Sequence, residues 1–133
     1  MHITYKGDYA LKTLLYLTRA YNTKVVSIHE IAREGDMPIK FLEHVIGLLK
    51  RGGFVESTRG VKGGYALTRP PEKITLGEVV RFVDGPLEPI ACVGSNNYAG
   101  CGETGRCKLR KVLFQVKRAV SDIVDNVTLK DLV

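Results

Sequence analysis

No apolar run in these 133 residues approaches the ~20 needed to cross a membrane as a helix. Met1 to Ala20 carries Lys6, Asp8, Lys12 and Arg19, so the apolar stretch of a secretory signal is missing too. The expected location is the cytoplasm, without a membrane partner. Internal repeats are absent. Cysteine is scarce and odd in number, with three residues: Cys92, Cys101 and Cys107. Structural disulfides are rare in a reducing compartment, and three thiols cannot all pair within one chain, so metal or redox chemistry gains weight. Cys-x-x-Cys is also missing, since the spacings are Cys-x8-Cys and Cys-x5-Cys, and His2, His29 and His44 all lie far upstream. A thiol enzyme usually sets two cysteines close together, and here no base is evident beside them, so catalysis is not expected.

What is present suffices for one compact domain, or a domain with a protruding element, because 44% of the residues are hydrophobic. The net charge of +6 is uneven: Lys and Arg outnumber Asp and Glu by 11 to 6 over residues 1–70, but only by 9 to 8 over 71–133. A basic first half suits a polyanion such as DNA, although a charge of this size also serves solubility.

Residues 9–21, "YALKTLLYLTRAY", space Ala10, Leu11, Leu14, Leu15, Leu17 and Tyr21 as one buried helical face. Ser27 and Glu30 have the spacing of a capping box at the start of "SIHEIAREG", with Gly35 as its stop. Pro38 suits the first turn of "PIKFLEHVIGLLKRGG", with Ile39, Leu42, Val45, Ile46 and Leu49 inward and Gly52 or Gly53 ending it. "FVESTRGVKGGYALTR" then reads as a hairpin with a flexible basic tip. Pro70 and Pro71 mark a boundary, and Thr75 with Glu78 repeats the capping-box spacing before a fourth helix in "GEVVRFVDG". From Leu109 the apolar positions Leu109, Leu113, Val116, Val120, Ile123 and Val127 alternate steps of four and three, the pattern of a coiled-coil seam. Val112, Ala119 and Val124 widen it, so an ordinary core helix is the competing interpretation; a helix of roughly 20 residues, about as long as a small domain is wide, favours dimerisation.

The expected fold is mainly α with a small β-hairpin: a winged helix-turn-helix plus a long C-terminal dimerisation helix. The organisation is a DNA-binding unit over 1–70, a connecting helix and cysteine-bearing loop over 71–108, and a dimerisation helix and tail over 109–133. The second helix of a helix-turn-helix presents its N-terminal residues to base edges, which nominates Lys40, Glu43 and His44. Glu43 can accept from a cytosine amino group, and Lys40 can reach guanine or phosphate. A solvated helix face would explain these three alone. The hairpin tip adds Arg59 and Lys62 among Gly60, Gly63 and Gly64, where glycine allows close approach and an arginine can enter a narrow minor groove. A protein-binding adaptor of the same shape would instead show apolar anchors there.

The chain resembles the IscR/NsrR family of bacterial winged-helix regulators, which includes the cysteine-metabolism regulator CymR. The likeness is carried by the opening "ITYKGDYAL", the helix "PIKFLEHVIGLLKRGGFV", the wing "STRGVKGGYAL", the segment "ITLGEVVRFVDG", the three cysteines and the closing "VTLKDLV". It implies a homodimer on double-stranded DNA carrying a palindromic operator, with Lys40, Glu43 and His44 at base-reading positions, Arg59 in the minor groove and the long helix crossing to the partner.

Three chemistries stay open for the cysteines. Structural zinc normally takes four ligands at shorter spacings; free thiols would be stabilised as thiolates by Arg106, Lys108, Arg110 and Lys111; an iron-sulfur cluster, 2Fe-2S or 4Fe-4S, tolerates varied loops, and the resemblance points to it. Three thiolates leave one cluster position to another ligand. In the iron-sulfur biogenesis branch that ligand is a histidine three residues after the third cysteine, but Arg110 stands there and cannot coordinate. In the nitric-oxide-sensing branch it is an aspartate of the other subunit near the start of the first helix, which would be Asp8. An acid at Asp8 equally suits a helix N-terminus. The Cys-x8-Cys gap is longer than the family usually shows, which leaves cluster type and signal open.

Overall fold

In the computed structural model, which describes residues 2–94, 100–103 and 105–133, helix α1 runs Tyr5–Arg19. It starts four residues earlier than its apolar spacing suggests because the Thr4 hydroxyl accepts from the Gly7 amide as N-cap. Asp8 is thus not the cap; it sits in the first turn and pairs with Lys12 at 2.7 Å. Helix α2, Ile28–Gly35, is capped by Ser27, whose hydroxyl accepts from the Glu30 amide, and ends on Asp36 in the left-handed region (φ 49°), not on Gly35. The reciprocal half of the capping box does not form. Glu30 instead accepts from Tyr16 Oη (2.8 Å) and Lys24 Nζ (2.7 Å), which ties α2 to the end of α1 and holds the Glu30 carboxyl below its usual range, through Lys24 first and Tyr16 second.

Helix α3, Ile39–Arg51, buries Leu42, Val45, Ile46 and Leu49. Ile39 is exposed, contrary to the inward place its spacing suggests, as the first residue of the helix, where no preceding turn covers it. Strands β1, Val55–Thr58, and β2, Gly64–Leu67, pair antiparallel with Val55 opposite Leu67 and Thr58 opposite Gly64. Val26 bonds reciprocally to Tyr65 (2.9 and 2.7 Å), so the α1–α2 connection adds a bridge to the hairpin base. Helix order, hairpin and pairing are those of a winged helix-turn-helix.

Helix α4, Leu76–Asp84, is capped by Thr75 on the Glu78 amide, while the Glu78 side chain turns to Arg69. Ile74, Val79 and Val83 join the same core as Leu14, Leu42 and Leu49. A side chain at Gly7 would collide with the Asp84 carboxylate, so glycine permits the close approach that lets Asp84 accept from the Thr4 amide (3.1 Å) and hydroxyl (2.5 Å). The C-terminal tail returns to this layer: Leu76 N donates to Val127 O (2.8 Å), Leu129 N donates to Ile74 O (2.9 Å), and Leu129 is fully buried.

Helix α5, Lys108–Val124, is about 25 Å long at ~1.5 Å per residue and buries none of its residues. Leu109 is 62% exposed, Val116 39% and Ile123 64%, so the apolar stripe faces away from the subunit's core. The helix stops before Val127, the last position of the seven-residue pattern. Its C-terminal end is held by Arg81, which donates to both Asp125 oxygens (2.5 and 3.0 Å), and a side chain at Gly77 would intrude on that pair.

The hydrogen bond from Arg81 holds the Asp125 carboxyl below its usual range. A lowered folded value contributes stability above the ordinary carboxylate pKa of about 3.9, and that contribution is lost as pH falls through the folded value. At fixed protein concentration, an Asp125→Asn variant is expected to lose less urea resistance between pH 7 and pH 3 than the parent. Equal losses would mean that the pair does not couple α5 to α4.

Candidate nucleic-acid interface and cysteine site

Pro38 precedes α3 with no side chain capping the first turn, so the leading amides point outward. Lys40, Glu43 and His44 are all exposed, on the opposite side from Leu42, Val45 and Ile46. Phe41 packs edge-on against Tyr9 of α1 (5.2 Å between ring centres, 81° between planes), which fixes where this end of α3 sits. At the other end Lys50 donates to Ser57 Oγ (3.0 Å), linking α3 to β1.

Arg59 and Lys62 are exposed at the hairpin tip, with Val61 fully exposed between them. Gly60 takes φ +113°, a conformation that side chains disfavour. Two of the tip glycines serve the hairpin itself: a side chain at Gly63 would strike the Thr58 carbonyl, and one at Gly64 would strike the Val26 backbone. Compactness of the hairpin is therefore what Gly63 and Gly64 provide.

Cys92 lies in a 3-10 turn, Ala91–Val93; Cys101 is exposed on the loop before α5; Cys107 is the N-cap of α5, its Sγ accepting from the Arg110 amide at 3.4 Å. Cys92, 9 and 15 positions before Cys101 and Cys107, lines with them one cavity of about 240 Å³, walled by Ile90, Leu109 and Leu113 and edged by Arg110. No disulfide joins them. Among the described residues no group of three or more His, Cys, Asp or Glu is arranged to hold a single metal ion.

The first turn of α5 has no acidic residue and carries Lys108, Arg110 and Lys111. Cations at a helix N-terminus oppose the macrodipole, each by ~0.3–1 kcal/mol at an exposed site. Local rules are broken most often where function demands it, and an anion among the three thiols would reverse the sign. Arg110 Nε donates to Cys92 O (2.9 Å) and Lys117 Nζ to Val93 O (2.7 Å). The sequence marks Arg110 as a cation near the thiols that cannot itself coordinate, and it does not single out Lys117; neither carbonyl partner is adjacent in sequence, so no local signal points to these bonds. Asp8 lies apart from this cavity in its own chain, beside His2, Ile3, Thr4 and Tyr5, so it could serve the thiols only from another subunit.

A three-helix unit with an exposed second helix of the helix-turn-helix pair and a basic wing is the architecture of winged-helix regulators. The chain belongs to the Rrf2 family, described as iron-dependent transcriptional regulators, whose profile spans residues 3–133. It is 33% identical over 134 residues to the HTH-type transcriptional regulator NsrR of Bacillus licheniformis, covering 100% of this chain and 92% of that one. In structure it is similar to CymR (YrzC), the global cysteine regulator of B. subtilis, with TM-score 0.83, 28% identity and coverage of 99% and 95%. It is also similar to T. potens IscR, with TM-score 0.78, 26% identity and coverage of 99% and 85%. The resemblance read from the opening helix, wing and closing segment is thereby confirmed, as is the mainly helical fold with its small hairpin. No helix among the described residues is long and apolar enough to cross a membrane.

Proposed function

We propose that the protein acts as a homodimeric repressor whose affinity for a palindromic operator is set by an iron-sulfur cluster held by Cys92, Cys101 and Cys107, sensing cluster status, nitric oxide or redox stress. The observation that carries this reading is the gathering of all three thiols around one cavity at the base of a helix whose apolar stripe faces outward. The donor set fits such a group. Thiolates are its usual ligands, a multi-atom cluster needs sulfurs spread around a volume, and apolar walls limit solvent access. Asp8 of the second subunit is proposed as the remaining ligand, and the bound group would supply a redox-active centre.

Contacts run without a gap from this site to the DNA-reading helix. Cys107 caps α5, Asp125 at its far end is clamped by Arg81 of α4, α4 abuts α1 at Gly7 and Asp84, and Tyr9 of α1 packs on Phe41 of α3. A change at the thiols that tilts α5 therefore bears on α3 through packed elements with little slack.

Two tests follow. Anaerobically purified parent is expected to contain iron and sulfide, each Cys→Ser variant to lose both, and Asp8→Ala to retain cluster with an altered spectrum. A parent that binds zinc stoichiometrically and cannot be reconstituted with iron and sulfide would refute the cluster; an unchanged spectrum and nitric oxide response in Asp8→Ala would refute that ligand alone. For DNA, operators selected from a random pool are expected to bind Arg59→Ala less tightly, while Glu43→Ala relaxes discrimination at one base pair by about 1–3 kcal/mol. Lys40, His44 and Lys62 are proposed as further contacts, giving binding that weakens steeply with salt. Parent-like binding by both variants would refute this placement.

The likeness to CymR favours a second reading, in which the same thiols respond to sulfur or cysteine status without a cluster. Reversible thiol oxidation that changes operator affinity in iron-free protein would select it.

A further inference from the structure

Two long cations of α5 grip the chain that carries Cys92. Arg110 and Lys117 lie seven residues apart, two turns along one side of α5. Arg110 Nε donates to the Cys92 carbonyl at 2.9 Å, and Lys117 Nζ donates to the next carbonyl, that of Val93, at 2.7 Å. Glu88 lies 3.9 Å from the same ammonium, and the Lys117 and Glu88 side chains are only 24% and 16% exposed. Val93 is itself buried, anchoring the turn from its other side. On the α5 side, Cys107 is fixed by the helix it caps. Cys92 and Cys107 are thus held relative to each other by protein contacts alone.

We propose that Arg110 and Lys117 are positioning residues that preorganise Cys92 against Cys107 before any cofactor arrives. Holding donors in place beforehand removes an ordering cost from binding, and hydrogen bonds behind the ligands tune the bound group. The position three residues after the third cysteine is thereby assigned a role on this chain: its side chain orders a ligand instead of being one. The cofactor half of the proposal rests on the cluster reading above, while the ordering half stands on the metal-free protein.

The test uses the full-length protein and three variants. Arg110→Gln keeps a donor and loses the charge, Arg110→Met loses both, and Lys117→Met releases the second carbonyl. In metal-free protein, hydrogen exchange at the Val93 and Gly94 amides, which bond to Ile90 O and Ala91 O, is expected to quicken at least tenfold in Arg110→Met and Lys117→Met, with α1 to α4 unchanged. Arg110→Gln is expected to stay near the parent. In reconstituted protein, loss of iron to a chelator is expected to quicken in the same order, and visible circular dichroism to change in Arg110→Met but be largely restored in Arg110→Gln. Parent-like exchange in both Met variants would overturn the proposal, as would equal iron release from Arg110→Met and the parent. A parent that takes up no iron and sulfide while the Met variants still show faster exchange would instead strike the cluster reading and leave the ordering role supported.

Discussion

A Val116→Asp, Val120→Asp double variant is expected to be a folded monomer that has lost high-affinity operator binding. In the single subunit Val116 is exposed and Val120 half-buried, and α5 buries no residue in its own core, so the charges stay solvated when the chain is alone. Substitutions at exposed positions such as Val116 usually change stability by about 0.5 kcal/mol or less, and the half-buried Val120 leaves its aspartate a path to water. In the proposed dimer, where this stripe is covered, each aspartate would be stripped of water without a partner, at several kcal/mol apiece, and two subunits bring four of them. Association is therefore abolished while the fold persists. Sedimentation and circular dichroism together check this: a dimer of parent mass would show that α5 is not the interface, and an unfolded chain would show that α5 packs on its own subunit after all.

Leu129→Ala is expected to destabilise the protein by about 2–5 kcal/mol, the range for truncating a fully buried leucine. Leu129 is 0% exposed and its amide donates to Ile74 O, so it is both a core side chain and the pin that returns the tail to α4. For a chain of this length, a loss of about 3 kcal/mol lowers Tm by roughly 10 °C. Release of the tail should also deprotect the Leu76 amide, which bonds to Val127 O, before global unfolding. Denaturation with amide exchange measures both. A loss under about 1 kcal/mol would show that the tail is dispensable to the core.

Much of the winged helix-turn-helix is legible from the sequence. Ser27, Thr75 and Pro38 mark helix starts because capping is local chemistry, and Leu42, Val45, Ile46 and Leu49 announce a buried face through their period alone. Where local rules compete, they mislead: Glu30 and Glu78 have the spacing of capping boxes but turn to Tyr16 with Lys24 and to Arg69, because a charged partner across an interface outbids a nearby amide. Ile39 fits the apolar period and is exposed, since period says which side a residue lies on and not whether a preceding turn covers it.

Spacing and composition within a few turns of chain suffice for the winged helix-turn-helix, the exposed polar residues of α3 and the wing, and a C-terminal helix with an apolar stripe. Only the tertiary structure decided that Cys92, Cys101 and Cys107 line one cavity, that Arg110 and Lys117 hold the Cys92 turn, that Arg81 clamps Asp125, and that Leu129 closes the core. Those contacts join residues up to 55 positions apart, as Leu129 with Ile74, and no local pattern encodes them. They arise when loops and helices that are separately indifferent to one another are brought together by the burial of a shared core.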